Sequence, residues 1–314
     1  MKQIKQSPLD NQPLELLFKC KDYAVSQEEF SLLQDKHAEL LVTSPQPFAE
    51  NMNKYYESAN YISHTDSKKT VIDQMYQWVK KSALKSKVNF IDRLASEKGN
   101  LLDIGCGTGD FLVACKNRGW KSTGIEPNEK ARKSGIAKLK ANSNDKNSEH
   151  IFQDINEYRT SIEKGRTEEK FDVITLWHVL EHVPDITNYI IELHGLLTES
   201  GCLVVAVPNH KSYDAGVYGK YWAAYDTPRH LWHFSKKSVS LLFSTVKMEV
   251  IEIKPMKWDA FYVSLLSEKY KNGKNNYLKA FYNGLLSNWK ANRNGEYSSL
   301  IYVIKKQKTR LNAI

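Results

Sequence analysis

Between residues 100 and 210, short apolar runs rich in β-branched residues alternate with segments whose apolar positions recur at helical period. The runs are Leu101 to Ile104, Ser122 to Ile125, Ile151 to Phe152, Phe171 to Leu176 and Cys202 to Val207. Between them lie Asp110 to Arg118, Asn128 to Lys140, a short polar stretch after Asp154, and Asp185 to Leu197. Strands alternating with helices pair in parallel through right-handed crossovers. Two further runs, Met248 to Lys254 and Leu300 to Ile304, with a helix over Lys236 to Phe243 before the first, complete the expected fold class: α/β, a doubly wound, mostly parallel sheet of seven strands.

Two stretches break the rhythm. Asn209 to Phe234 follows the fifth strand, and Trp258 to Tyr297 lies between the last two. Because doubly wound sheets bind ligands outside the carboxyl ends of their strands, both are expected over the active site, the second as a helical lid. The first hundred residues follow another pattern. Phe18 to Tyr23, Phe30 to Leu33 and Leu40 to Thr43 read as short strands, Ser44-Pro45-Gln46-Pro47 as a link, and 66–94 as helix with Val71, Met75, Trp78 and Val79 on one face. The expected division is a small β-containing appendage over 1–64, a helical lead-in over 65–98, a core over 99–257 and 298–314, and a lid over 258–297. There is no internal repeat, and the polar run Ala141 to Glu149 reads as a solvated loop.

With 314 residues the chain can build one large core or two modest ones. Its 45 Lys and Arg against 36 Asp and Glu give a net charge of +9, a balance that first suggests nucleic acid or a membrane surface. The distribution changes that picture. Residues 1–210 sum to −2 and the rest to +11, so the excess belongs to the last third. Lys far outnumbers Arg and no recognition motif is present, which argues against nucleic acid. No apolar run approaches the ~20 residues that span a bilayer and the first residues lack a signal peptide's apolar stretch, which predicts a cytoplasmic chain. Cys20, Cys106, Cys115 and Cys202 form no C-x-x-C pair and are expected to be reduced packing thiols.

The strongest chemical signal is Leu101-Leu102-Asp103-Ile104-Gly105-Cys106-Gly107-Thr108-Gly109-Asp110: a strand ending in an acid, a G-x-G-x-G turn, then a helix start. Glycine lets the backbone turn tightly and approach a ligand closely. A dinucleotide loop would place its third glycine one position later, where this chain has Asp110, so the loop suits an uncharged or cationic ligand better than a pyrophosphate. Glu126, at the end of the second strand and 17 residues after Gly109, can accept hydrogen bonds from ribose hydroxyls. At the third strand's end, Asp154 can take an adenine amino group while Ile155 covers the ring. The fourth run passes into Trp177-His178-Val179-Leu180-Glu181-His182, a turn loaded with polar chemistry.

These motifs, in this order, resemble the class I S-adenosylmethionine-dependent methyltransferases, in particular the broad bacterial group that includes the ubiquinone-biosynthesis O-methyltransferases. The likeness covers roughly residues 100 to 210, and the later segment Asp226-Thr227-Pro228-Arg229-His230-Leu231-Trp232-His233-Phe234-Ser235 resembles a subgroup signature. It implies a Rossmann-like methyltransferase fold with S-adenosylmethionine as cofactor, S-adenosylhomocysteine as product and no metal. By this resemblance Asp103, Gly105 and Gly107 line the methionine part, with Cys106 between them also a cofactor-binding candidate, Glu126 the ribose, and Asp154 with Ile155 the adenine, while Leu176 and Trp177 flank the sulfonium. Phe18 to Tyr23, Thr43 to Pro47 and Tyr61 to His64 resemble a segment that in relatives carries a small zinc ribbon. Asp35 and Ala38 occupy the corresponding spacing here, which implies a degenerate module that binds no metal. Tyr61 and His64 are expected to close over the cofactor's carboxylate end.

Methyl transfer to a hydroxyl needs a base, and His is the usual one. His178 and His182 follow the fourth strand, whereas His230, His233 and Asp226 lie in the loop after the fifth, with Trp222 and Arg229 beside them as acceptor-binding candidates. His178, His182 and His230 are the candidate catalytic residues. Each signal also has a plain reading: the first two histidines could cap a turn, and Asp226 with Arg229 could form a structural ion pair. The stripe Leu278, Phe281, Tyr282, Leu285, Leu286 and Trp289 reads first as packing for the lid and second as a face for a membrane surface or an apolar substrate. The expected function is methylation of a small molecule, oxygen being the favoured atom, with an anionic or a lipid- or quinone-like acceptor. The alternatives are a nucleic-acid or protein methyltransferase using the basic lid, and a protein that binds the cofactor without catalysis.

Overall fold

The computed structural model describes residues 1–56, 71–95, 97–142, 151–165 and 170–308. Eleven strands follow one another along these residues: β1 (Glu15–Lys21), β2 (Glu29–Asp35), β3 (Leu40–Ser44), β4 (Asn100–Ile104), β5 (Lys121–Ile125), β6 (Ile151–Phe152), β7 (Phe171–Trp177), β8 (Leu197–Pro208), β9 (Trp232–His233), β10 (Met248–Pro255) and β11 (Ser299–Lys306). Seven lie in one sheet, in the order β10-β11-β8-β7-β4-β5-β6, and four in another, β1-β2-β3-β9. The chain divides into two compact units. One comprises Thr65–Trp177, Glu192–Val204 and Lys308–Ile314, the other Met1–His64, His178–Ile191 and Val205–Gln307.

In the first unit β4 has parallel partners on both sides, Leu101 standing opposite Ser122 of β5 and Val173 of β7. A strand covered on both faces is apolar throughout rather than alternating, and Leu101, Leu102 and Ile104 are buried together with Val173, Ile174 and Leu176. Helices Asp110–Lys116, Glu129–Ala141 and Ile155–Glu163 follow β4, β5 and β6. The last two begin where the sequence supplies a cap: Asn128 accepts from the amide of Ala131, and Asp154 from that of Glu157. The expected lead-in helix is Val71–Leu94; residues 66–70 and 143–150 lie outside the described residues.

In the second unit β1, β2 and β3 form an antiparallel meander, with Cys20 opposite Phe30 and Leu33 opposite Val42. β1 stops at Lys21, short of the expected Tyr23, because Asp22 folds a turn: its carboxylate accepts from the amides of Ala24, Val25 and Ser26. Asp35 Oδ1 accepts from the amide of Ala38 at 2.8 Å and closes the turn between β2 and β3.

The stretch after β8 is more structured than its polarity suggests. A short helix, Tyr213–Tyr218, and two single 3-10 turns, Gly219–Tyr221 and Ala223–Tyr225, lead into β9, which adds to the meander through the pairs Leu41–His233 and Val42–Trp232. The four-stranded sheet is therefore built from two distant stretches of chain, and the unit that contains it does not end at residue 64. Asp214, fully buried, accepts from Trp222 Nε1, Ser287 Oγ and Ser298 Oγ, each at 2.7 Å. Three donors offset the cost of burying a carboxylate. The segment expected to form a lid holds two helices, Asp259–Asn272 and Tyr277–Asn294, between β10 and β11. No helix among the described residues is long and apolar enough to cross a membrane.

Candidate functional site

β4 runs directly into the glycine turn, where Gly105, Gly107 and Gly109 have φ values of 69°, 55° and 75°. Side-chain-bearing residues rarely adopt this left-handed region. Around Gly107 there is also open space, since nothing lies within 4 Å of where a Cβ would stand. The amides of Gly105 and Cys106 donate to the carbonyl of Ile125 at 2.8 and 3.1 Å, pinning the turn to the end of β5. One residue on, the amide of Gly107 donates to Glu126 Oε2 at 2.8 Å, and the amide of Asn128 donates to Oε1 at 2.8 Å. Two backbone donors thus orient a carboxylate whose oxygens each retain a further lone pair. Cys106 turns its thiol toward β5, where a Cβ on Gly124 would come within 2.7 Å of Sγ. Burial pushes that thiol's pKa up, so Cys106 serves the loop through its backbone.

Asp103, 2% exposed and next to last in β4, accepts from Thr175 Oγ1 at 2.6 Å. Burial pushes its carboxyl up to about 7, against the opposing pull of the Thr175 hydrogen bond and of Lys87. Leu176 is fully buried, and the Trp177 ring meets Phe111 edge-on at 5.7 Å with Lys87 Nζ 4.2 Å from its centroid. The indole N–H of Trp177 is buried with no acceptor among the described residues. At the end of β6, Asp154 uses one oxygen as a helix cap and is otherwise exposed, while Ile155 is buried. An open cradle beside Gly107, an oriented carboxylate and an orphaned indole N–H together fit a nucleoside bearing vicinal hydroxyls.

The second unit holds the histidines. His178 sits at φ 58°, with Nδ1 3.2 Å from Glu181 Oε1 and Nε2 3.1 Å from Asp259 Oδ2. Burial alone would lower its pKa, but the two carboxylates raise it to about 10. A charged ring that donates from both nitrogens has no lone pair, which removes His178 from the candidate bases. Glu181 keeps its second oxygen, Oε2, buried and unpaired among the described residues. Burial opposes its charge, yet the His178 hydrogen bond holds it below the usual carboxylate range.

His182 stands differently. Nδ1 lies 3.0 Å from the carbonyl of Arg229 and 3.1 Å from the hydroxyl of Tyr56. Desolvation, then the neighbouring His230, lower its pKa to about 4. His230 meets it edge-on with ring centroids 4.6 Å apart, and its own Nδ1 is 2.8 Å from the carbonyl of Ala224. A carbonyl can only accept, so each Nδ1 carries a proton, and on the neutral ring of His182 Nε2 keeps the lone pair. Glu181, His182 and His230 offer three ligand atoms within 4.8 Å of one another, the one such group among the described residues that could hold a cation.

The residues expected to bind the acceptor have other partners. Arg229 donates to both oxygens of Asp226 at 2.9 and 2.6 Å, to Asp22 Oδ1 at 3.1 Å and to the carbonyl of Tyr55 at 2.8 Å. Its charge is fully matched inside the protein. His233 donates from Nε2 to Thr43 Oγ1 at 3.0 Å, and that hydroxyl donates in turn to the carbonyl of His230. Burial keeps its imidazole well below its ordinary pKa. Trp222 is spent on Asp214. Asp226 and Trp222 do line a small cleft together with Cys20, Tyr23, Tyr225 and Tyr270. Tyr61 and His64 lie outside the described residues. Sequence reasoning missed Asp22, Asp214 and Tyr56, whose partners are far away in the chain; the Asp22 turn alone left a local signal, an acid just after a strand.

The family described as "Methyltransferase domain" matches residues 75–253. "Ubiquinone biosynthesis O-methyltransferase" of Rhodopseudomonas palustris (strain BisB5) is 31% identical over 137 residues, 42% of this chain and 50% of that protein. The protein of the same name from Pseudomonas aeruginosa (strain LESB58) is 32% identical over 158 residues, 48% of this chain and 63% of that protein. The chain therefore spans between half and just under two thirds of the length of these relatives. Among solved structures, magnesium protoporphyrin IX methyltransferase from Synechocystis PCC 6803 with bound SAH superposes with a TM-score of 0.51 at 13% identity, covering 81% of this chain and 97% of that one, which shows a shared fold.

Proposed function

Because this chain belongs to the methyltransferase-domain family, we propose that it transfers the methyl group of S-adenosylmethionine to a hydroxyl oxygen of a small-molecule acceptor, with His182 or His230 as the base. On this reading Asp103, Gly105 and Gly107 hold the methionine part of the cofactor, Glu126 the ribose, Asp154 with Ile155 the adenine, and Leu176 with Trp177 the sulfonium side. The open space at Gly107 beside the oriented Glu126 carboxylate supports this assignment. When bound, the cofactor supplies a methyl carbon activated by its sulfonium, so the protein's own part is to orient the acceptor and exclude water.

One observation carries the preference for oxygen. A hydroxyl must lose its proton to attack, and His182 is a neutral imidazole with Nδ1 anchored on the Arg229 carbonyl and Nε2 left to take that proton. The names of the curated relatives favour a phenol- or quinol-like acceptor. The test is to incubate the protein with methyl-labelled S-adenosylmethionine and a panel of phenol, carboxylate and amine acceptors, reading products by mass spectrometry. Aryl methyl ethers are expected. Binding of S-adenosylhomocysteine with no transfer to any acceptor would leave a cofactor-holding protein instead, and methylated, salt-dependent RNA or DNA binding would leave the macromolecular reading. A chelator is expected to leave turnover unchanged. A loss reversed by a divalent cation would put an ion, and not a proton, on Glu181, His182 and His230.

A further inference from the structure

The helix Tyr277–Asn294 is amphipathic in the reverse of the usual sense. It buries Ala280, Asn283, Gly284, Ser287 and Ala291. Small residues there allow close packing on helix Asp259–Asn272: a Cβ on Gly284 would lie 2.7 Å from the Phe261 ring. The large apolar side chains face outward, Tyr277, Leu278, Phe281, Tyr282, Leu285 and Trp289 being between 48% and 86% exposed. The stripe, which reads in the sequence first as packing and second as an interaction face, is exposed. Trp258 and Tyr262, 53% and 45% exposed, belong to the segment that packs beside it. Scattered exposed apolar residues are ordinary, but a contiguous ridge of aromatic and leucine side chains marks an interaction site.

The charge around this ridge is of one sign. From Ala260 to Asn294 the sequence contains a single acid, Glu268, and its side chain is fully buried beside Lys279 Nζ at 3.3 Å. Lys269, Lys271, Lys274, Lys279, Lys290 and Arg293 are all exposed. Large apolar side chains flanked by lysines, with no exposed acid between them, suit the interface of a bilayer that carries anionic headgroups: rings and leucine enter the acyl boundary while the lysines remain among the phosphates.

We propose that the helix Tyr277–Asn294 is a membrane-surface anchor that docks this protein on bilayers containing anionic lipid. This docking goes beyond the methyl-transfer reading and does not depend on it. The protein is mixed with sucrose-loaded vesicles of phosphatidylcholine alone or of an equimolar phosphatidylcholine and phosphatidylglycerol mixture, and sedimented. Co-sedimentation is expected with the mixed vesicles, weakening as salt rises. The double variant Leu278→Glu/Phe281→Glu, whose fold is checked by circular dichroism, is expected to bind at least about tenfold more weakly, since two buried side chains are lost from the acyl boundary. Lys271→Glu/Lys274→Glu should remove the preference for anionic vesicles while leaving the ridge intact. No sedimentation with either vesicle, or equal sedimentation of protein and double variant, overturns the proposal. If the double variant changes the sedimentation-equilibrium mass from dimer to monomer and vesicles are ignored, the ridge is a contact between two copies of the chain.

Discussion

Arg229 closes on Asp22 through a 3.1 Å contact between Nη2 and Oδ1, with side chains 2% and 0% exposed. The same guanidinium grips Asp226 through two hydrogen bonds and also reaches the carbonyl of Tyr55. Removing one partner of a buried pair leaves an uncompensated charge and costs about 3–5 kcal/mol. Arg229→Ala is therefore expected to lower the free energy of unfolding by that order, measured by denaturant titration. A variant of unchanged stability with a raised acceptor KM would show Arg229 to be a substrate ligand instead.

His182→Ala and His230→Ala separate the two candidate bases. Loss of the base should lower kcat by about 10²- to 10⁴-fold, with the affinity for S-adenosylhomocysteine nearly intact. The pH profile adds a sign. With a pKa near 4, His182 is neutral throughout the physiological range, so kcat at saturating cofactor should fall on acidification toward pH 4 and not before. An inflection near pH 6.5 that vanishes in His182→Ala would contradict the assigned environment.

Much of this was legible in the chain. β4, β5, β7 and the glycine turn with Glu126 are local features, each written in a run of neighbouring residues, and they fall where the apolar pattern puts them. Contacts between distant residues were not legible. Nothing near Arg229 announces Asp22, and nothing near Trp232 announces β3, because the partners are chosen by packing of remote segments. The first reading of the stripe from Leu278 to Trp289, as packing, failed for a different reason. Helical period reveals that two faces differ but not which one meets the protein, and here the small residues Ala280, Gly284, Ser287 and Ala291 took the inner face.

His178 contributes a pH-dependent element of stability. Its folded pKa is raised from 6.5 to about 10 by Asp259 and Glu181 against the effect of burial. A raised histidine stabilises fully below its unfolded pKa, and the gain is lost as pH rises through the folded value. With the side chain one-third exposed, solvent screens part of the effect. The melting temperature of the wild type should exceed that of His178→Gln at pH 6, and the difference should shrink between pH 6.5 and 10. A difference that grows with pH would mean the ring is neutral.

Asp103 links cofactor affinity to pH. Burial holds its carboxyl up to about 7, while a cationic amino group on the ligand prefers the ionised form. Affinity for S-adenosylhomocysteine should therefore rise from pH 6 to pH 8, and Asp103→Asn should flatten the rise. An equally steep rise in the variant would assign the dependence elsewhere.

Whether the turn after β4 holds S-adenosylmethionine is decided by calorimetric titration of S-adenosylhomocysteine into the wild type and Gly107→Val. Gly107 has φ 55° and faces open space, so valine both strains the turn and fills the cradle. Saturable binding to the wild type is expected, with no detectable heat from a variant that keeps its circular dichroism spectrum. Undiminished affinity in Gly107→Val would contradict this assignment.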